Sequence, residues 1–235
     1  MKIHFSIDDV IGCFLWLTKN KCSTIFESRI FSFAKNLYDN YGIHTVCNCM
    51  YSNGVSSLQE VSSDYVEEFQ QNAHWLKFSF HCFNHSSNYT NTKKEDFVYE
   101  YNLVMSELTR ITGGAATLST DVRLHCFTGN SEIMNYLAES GIKQIFTADD
   151  NRISYDLSIA EEIHAKQDMY ISPLNNLTYI ATDIRLEKDE TTEYLLNHIN
   201  SSKKLLVIFT HEIYIGNANI QNKLFEICDY FKVNP

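Results

Sequence analysis

Three points in the chain set chemistry-capable side chains where a strand should end. The first is Lys2-Ile3-His4-Phe5-Ser6-Ile7-Asp8-Asp9, in which Ile3, Phe5 and Ile7 alternate as one buried face and two carboxylates close the run. That alternation predicts a strand carrying Asp8 and Asp9 at its C-terminal end, on opposite sides of the pleat. The second is His81-Cys82-Phe83-Asn84-His85, directly after the apolar run Leu76 to Phe80. If the chain turns helical there, residues four apart share a face and both imidazoles reach one metal ion. The third is His211, just beyond Leu205-Leu206-Val207-Ile208-Phe209. Two imidazoles and one carboxylate leave positions on a divalent ion open for water and substrate, the pattern of hydrolytic zinc and of some iron sites. A strand cap accounts for Asp8-Asp9 alone but not for imidazoles at other strand ends.

The elements that must position these groups alternate between strand and helix. Ile30, Phe31, Phe33, Ala34 and Leu37 recur with helical period over Ser28 to Tyr41, and Gly42 stops that helix. Ile43 to Tyr51 reads as a second strand, Ser62-Ser63-Asp64 caps a helix running to about Ala73, and Leu76 to Phe80 is the third strand. Lys93 to Thr112 is an amphipathic helix stopped by Gly113-Gly114. Asp121 to Phe127 is a fourth strand, Ser131 to Glu139 a helix, and Gln144 to Thr147 a fifth strand closing on Asp149-Asp150. Between Asn151 and Glu187 the pattern is irregular, with strands only at Met169 to Ile171 and Thr178 to Ile184. Asp183-Ile184-Arg185-Leu186-Glu187 reads as a solvated strand face. A helix over Thr191 to Ile199, a buried strand over Lys204 to Thr210 and a helix over Asn219 to Phe231 complete the chain. The stretch from Val10 to Glu27 carries no period that assigns it. This alternation predicts an α/β fold with a parallel sheet, and closure into a barrel explains why so many strands present polar residues at one rim.

In order and spacing these motifs resemble the polysaccharide deacetylase (NodB-like) family, carbohydrate esterase family 4, which removes acetyl groups from N-acetylated sugars. The resemblance spans Phe5 to His211 and implies a distorted (β/α)7-type barrel, one catalytic domain over residues 1–235. Ser6-Ile7-Asp8-Asp9 is similar to the family's Thr-Phe-Asp-Asp, which implies Asp8 as general base and Asp9 as metal ligand. His81 and His85 match the two histidines of His-Ser/Thr-x-x-His, which implies them as the remaining ligands, with Cys82 in place of the hydroxyl residue. The third motif, Arg-Pro-Pro-Tyr-Gly, is echoed only by His125-Cys126-Phe127-Thr128-Gly129. Arg123 is the candidate substitute for its arginine, His125 reads as a structural residue, and Thr128 marks where a backbone N–H for an oxyanion belongs. Phe209-Thr210-His211 resembles Leu-x-His and implies His211 as general acid. For the acid that orients it, Asp149, Asp150 and Asp156 are open candidates. The resemblance thus implies a hydrolase with a divalent metal, zinc, in which Asp8 takes the proton of a water and His211 protonates the leaving amine.

Composition sets the remaining bounds. A chain of 235 residues can bury a large core without staples, and a net charge of −10 with no Lys/Arg block argues against nucleic acid or anionic membrane as partner. Seven cysteines without regular spacing suit a reduced, cytoplasmic setting, and no leader or membrane span is expected. The expected substrate is a saccharide or a nucleotide- or lipid-linked sugar that loses an N-acetyl or other acyl group. Two alternatives stand beside it: a metal-dependent hydrolase of a small amide or imide, and a catalytically inactive saccharide-binding barrel, for which the altered third motif is the best support.

Overall fold

The computed structural model describes residues 1–199 and 203–233. Strand β1 (Lys2–Val10) lies at the centre of a sheet, parallel to β2 (Thr45–Met50) on one side and to β9 (Leu205–His211) on the other. Phe5 and Ile7 are fully buried beneath the helices, while Ser6 and Asp8 face the opposite way, where Arg123 bonds both. β3 (Leu76–Cys82) extends the sheet beyond β2, and β8 (Ile184–Arg185) extends it beyond β9, giving the order β3-β2-β1-β9-β8. A second sheet has the order β4 (Asp121–Val122), β5 (Gln144–Thr147), β7 (Thr178–Ala181), β6 (Tyr170–Ile171), with only β6 antiparallel.

Two seams join the sheets. At one, the Phe78 N–H donates to the Thr117 carbonyl (2.9 Å) and the Ser119 N–H to the Phe78 carbonyl (2.8 Å), so the segment ahead of β4 lies along β3. At the other, the chain steps from β7 to β8: the Thr182 N–H donates to Thr147 in one sheet, and the Asp183 N–H to Val207 in the next. The result is a mostly parallel α/β arrangement consistent with a distorted barrel.

Eight helices accompany the strands among the described residues: α1 (Gly12–Asn20), α2 (Arg29–Tyr41), α3 (Val66–Gln71), α4 (Lys94–Thr112), α5 (Ser131–Glu139), α6 (Ile159–Gln167), α7 (Thr192–His198) and α8 (Ala218–Val233). Phe14 of α1, Phe31 of α2, Phe69 of α3 and Phe78 of β3 meet with ring centroids 5.2–6.1 Å apart. These mostly tilted and edge-on contacts clamp the first three helices to the sheet. The helices over Ser28–Tyr41, Lys93–Thr112 and Ser131–Glu139 form as their apolar periods predict, and Gly42 and Gly113 end two of them with φ of 67° and 95°.

Three expectations of the fold are corrected. Asp8 and Asp9 do not point to opposite sides: the β1–β2 register shifts between Ile7 and Val10, and Asp9 has φ 61°, a bulge that swings its carboxylate back toward the rim. His81 and His85 do not share a helix, because β3 runs through Cys82 and His85 sits in the turn beyond. The fourth strand is only Asp121–Val122, and residues 125–128 form a tight turn with Cys126 and Phe127 in the left-handed region. Helices α1 and α6 occupy stretches in which the sequence pattern assigns none.

Helix α1 has no cap of its own at Ile11. Instead the Glu212 carboxylate, directly after β9, accepts from the N–H groups of Ile11 (3.0 Å), Gly12 (2.7 Å) and Cys13 (2.7 Å). It satisfies orphan donors and meets the positive end of the helix dipole, tying the two chain segments that carry Asp9 and His211. Replacing Glu212 by Ala should lower unfolding free energy by about 2 kcal/mol in a denaturant titration, since three backbone N–H groups lose their acceptor. A loss below a few tenths of a kcal/mol would show that this cap is not structural.

Candidate metal centre and catalytic rim

Asp9 is the hub of the rim. Its Oδ1 lies 3.3 Å from His81 Nε2 and its Oδ2 lies 3.8 Å from His85 Nδ1. His81 Nδ1 is 2.6 Å from the Arg123 carbonyl, which can only accept, so Nδ1 carries the ring proton in the neutral form and Nε2 presents a lone pair. A lone pair then faces a buried carboxylate oxygen that takes no hydrogen bond. Only a cation or an added proton between them makes that contact favourable. Carboxylate oxygen and imidazole nitrogen are the donors a divalent first-row metal prefers, so these residues fit one. Among the described residues, two sets of three hold their ligand atoms within 4.8 Å of one another: Asp9, His85 and His125, and Asp9, His81 and Cys82; His81 and His85, expected to complete one set with Asp9, fall in different sets that share only Asp9. Burial, with Asp9 and Asp8 nearby, pushes the Cys82 thiol far up.

The electrostatics follow from packing. Burial pushes the Asp9 carboxyl up, but His81 beside it, with the charges of His211 and His125, outweighs burial and holds it down to about 2. Burial pulls His81 down, yet Asp8 and Asp9 raise it overall. His125 is lowered, by burial first and by the neighbouring His81.

Asp8 occupies a different environment from Asp9. It is 1 % exposed, and its Oδ1 accepts from Asn48 Nδ2 (2.7 Å) and from Arg123 Nη1 (3.1 Å). Arg123 thus sits on the same side as Asp8 and beside it. Asp8 stands opposite His211 in the β1–β9 register, so both face the same stretch of rim. His211 Nδ1 lies 2.5 Å from Glu187 Oε1, and Glu187 Oε2 accepts from Thr210 Oγ1 at 2.8 Å. Burial pulls His211 down, but the Glu187 hydrogen bond and the Asp8 and Asp9 carboxylates raise it above the ordinary imidazole value.

Glu187 therefore orients His211, and none of the aspartates expected there does so. Asp149 is committed to Arg185 (2.6 Å) and Lys188 (2.7 Å), Asp150 to Arg152 (2.7 Å), and Asp156 is exposed. The run Asp183 to Glu187 is likewise not a solvated face. Asp183 pairs with Lys203 (2.5 Å), Arg185 with Asp149, and Glu187 with His211, because this run forms the seam between the sheets. Thr128 does not offer a free backbone donor either: its N–H points to the His125 carbonyl at 3.3 Å. A cleft of about 620 Å³ opens beside the hub, lined by Asp9, His85, Trp16, Arg29, Met50 and Glu212. Sequence reading misses Asn48, Glu187 and Glu212, since nothing local marks a polar residue whose partner lies on another strand.

No family model matches the sequence, and no curated protein matches it. In fold, the chain is similar to the 4-alpha-glucanotransferase from Thermococcus litoralis, with a TM-score of 0.59 and 13% identity over 97% of this chain. It spans 38% of that protein's length. A protein described as a polysaccharide deacetylase from Mycobacterium smegmatis matches with a TM-score of 0.59 and 13% identity, covering 97% of this chain and 83% of that one. The Bc1960 peptidoglycan N-acetylglucosamine deacetylase matches with a TM-score of 0.55 and 10% identity, covering 98% and 83%. At these identities the likeness is one of fold. Among the described residues no helix is long and apolar enough to cross a membrane.

Glu187→Gln removes the charge that holds the His211 proton, so the His211 titration followed by NMR should move to lower pH than in the unaltered protein. An unmoved titration would mean that Glu187 does not set the protonation of His211.

Proposed function

We propose that this chain is a metal-dependent hydrolase that removes an N-acetyl or related acyl group from a saccharide or a linked sugar precursor. The observation that carries the reading is the separation of roles at one rim: Asp9 faces His81, His85 and His125, while Asp8 and His211 stand beside it with different partners. The fold likeness to deacetylases of N-acetylated sugars supports it.

A divalent ion, zinc in our reading, held by Asp9, His81 and His85 would polarise the amide carbonyl and acidify a water. The chain's own groups then divide the proton work. Asp8 Oδ1 is engaged by Asn48 and Arg123, which leaves Oδ2 to accept the proton of the attacking water. Arg123 and Asn48 fix that carboxylate in direction. Since His211 Nδ1 is committed to Glu187, its Nε2–H is the proton donor to the departing amine nitrogen, and the charge on Glu187 strengthens the ring's hold on its proton. The half-exposed Trp16 ring on the cleft wall offers a face on which a sugar ring can stack. All seven cysteines are free, six of them buried, which supports a reducing, cytoplasmic setting.

Replacing Asp8 by Asn should reduce acetate release from N-acetylhexosamine substrates by roughly 10²–10⁴-fold, with metal content retained. Undiminished release would remove Asp8 as the base. A metal-loaded wild type that binds acetylated saccharides without turnover would favour the inactive barrel.

A further inference from the structure

The loop after β4 is strained. Its residues 125–128 form a tight turn, the Thr128 N–H pointing to the His125 carbonyl, in which Cys126 and Phe127 have φ of 56° and 57°. Two successive non-glycine residues in the left-handed region cost about 1–2 kcal/mol each, and such a conformation persists only where its surroundings enforce it. The enforcement is visible. The Phe127 ring is buried edge-on against Phe209 at 6.3 Å, and its carbonyl accepts from the Tyr155 N–H at 3.3 Å. Thr128 Oγ1 donates to the His125 carbonyl and accepts from the Tyr89 N–H, both at 3.0 Å.

What this turn delivers is the His125 imidazole. Its Nδ1 lies 2.9 Å from the Ser87 carbonyl, an acceptor only, so the ring proton sits on Nδ1 and Nε2 carries a lone pair, met by the exposed Cys126 thiol at 3.8 Å. A ring whose far nitrogen donates to a backbone carbonyl has the arrangement typical of a metal-ligating histidine. The ring stands 5.5 Å from that of His81 at 87°, and its ligand atom lies with those of Asp9 and His85 within 4.8 Å. Ser87 belongs to the turn that also carries His85, closed by its N–H donating to the Asn84 carbonyl at 3.0 Å. That one turn therefore positions both imidazoles.

We propose that His125 is itself a metal ligand, so that the centre is built from Asp9 and three imidazoles and not from Asp9 and two. The inference rests on reading this cluster as a metal centre, and it assigns a purpose to the strained turn. An added nitrogen donor shifts preference toward late, borderline first-row ions such as zinc or cobalt over magnesium or calcium, and leaves one position fewer for water and substrate.

The test loads the metal-free full chain with Co(II) or Zn(II) and compares the unaltered protein with His125→Gln and His125→Ala. Affinity comes from titration of the Co(II) absorption bands, and the imidazole count from X-ray absorption of the Zn(II) form. Loss of a direct ligand should exceed the 10–100-fold cost of losing a group one shell out, so affinity should fall at least about 100-fold. The variants should also show one imidazole fewer, with thermal unfolding of the metal-free form unchanged. Wild-type affinity and an equal imidazole count in both variants would overturn the proposal while leaving the metal centre standing. An unaltered protein that takes up neither ion would overturn both this proposal and the metal-dependent reading.

Discussion

The ion pair between Arg123 and Asp8, sealed inside the sheets, is the constraint on which the rim depends. Removing two charges from water costs several kcal/mol per ion, offset by good geometry and hydrogen bonding, which here satisfy the two Nη groups and leave the buried Arg123 Nε without a partner. Here the guanidinium bonds Ser6 and Asp8 through Nη1 and Thr182 through Nη2, and lies 4.2 Å from the Phe209 ring and 5.4 Å from that of Phe146. It thereby touches β1, β5, β9 and the seam between β7 and β8. The same residue acts a second time through its backbone, whose carbonyl takes the Nδ1 proton of His81. One arginine thus fixes the carboxylate we read as the base and the tautomer of an imidazole facing Asp9.

Around that pair the rim combines strained backbone with side chains that brace it. Asp9 sits in the left-handed region at a bulge, with a buried oxygen lacking a hydrogen bond. Cys126 and Phe127 repeat the left-handed backbone on the facing side. Glu212 and Glu187 hold the opposite edge, one capping α1 and the other gripping His211, so the end of β9 is fixed from both flanks. Such strain is tolerable because the phenylalanine cluster and the strands beneath are buried and packed together.

Much of this was legible in the sequence where a signal was local. The strand ends at Asp8-Asp9, His81 and His211 follow from apolar runs that stop on polar residues, and the glycine-stopped helices follow from their periods. Helix α6 also carried a local signal, the Ser158/Glu161 capping box, within a stretch whose apolar period is too weak to assign it. Helix α1 did not, because its cap, Glu212, arrives from about 200 residues away. Glu187 was illegible for a related reason. The alternating charges of Asp183, Arg185 and Glu187 mimic a solvated strand, and only the seam between two sheets turns them inward. The bulge at Asp9 inverts a side-chain direction that strict alternation cannot reveal.

A divalent ion at the groups gathered on Asp9 is what this reading of the rim requires. It is tested by elemental analysis of protein purified without chelator, compared with Asp9→Ala. About one divalent ion per chain is expected in the unaltered protein, and its loss in the variant, because a carboxylate shared by every candidate ligand set cannot be spared. No bound metal even after reconstitution, or full metal content in Asp9→Ala, would contradict it.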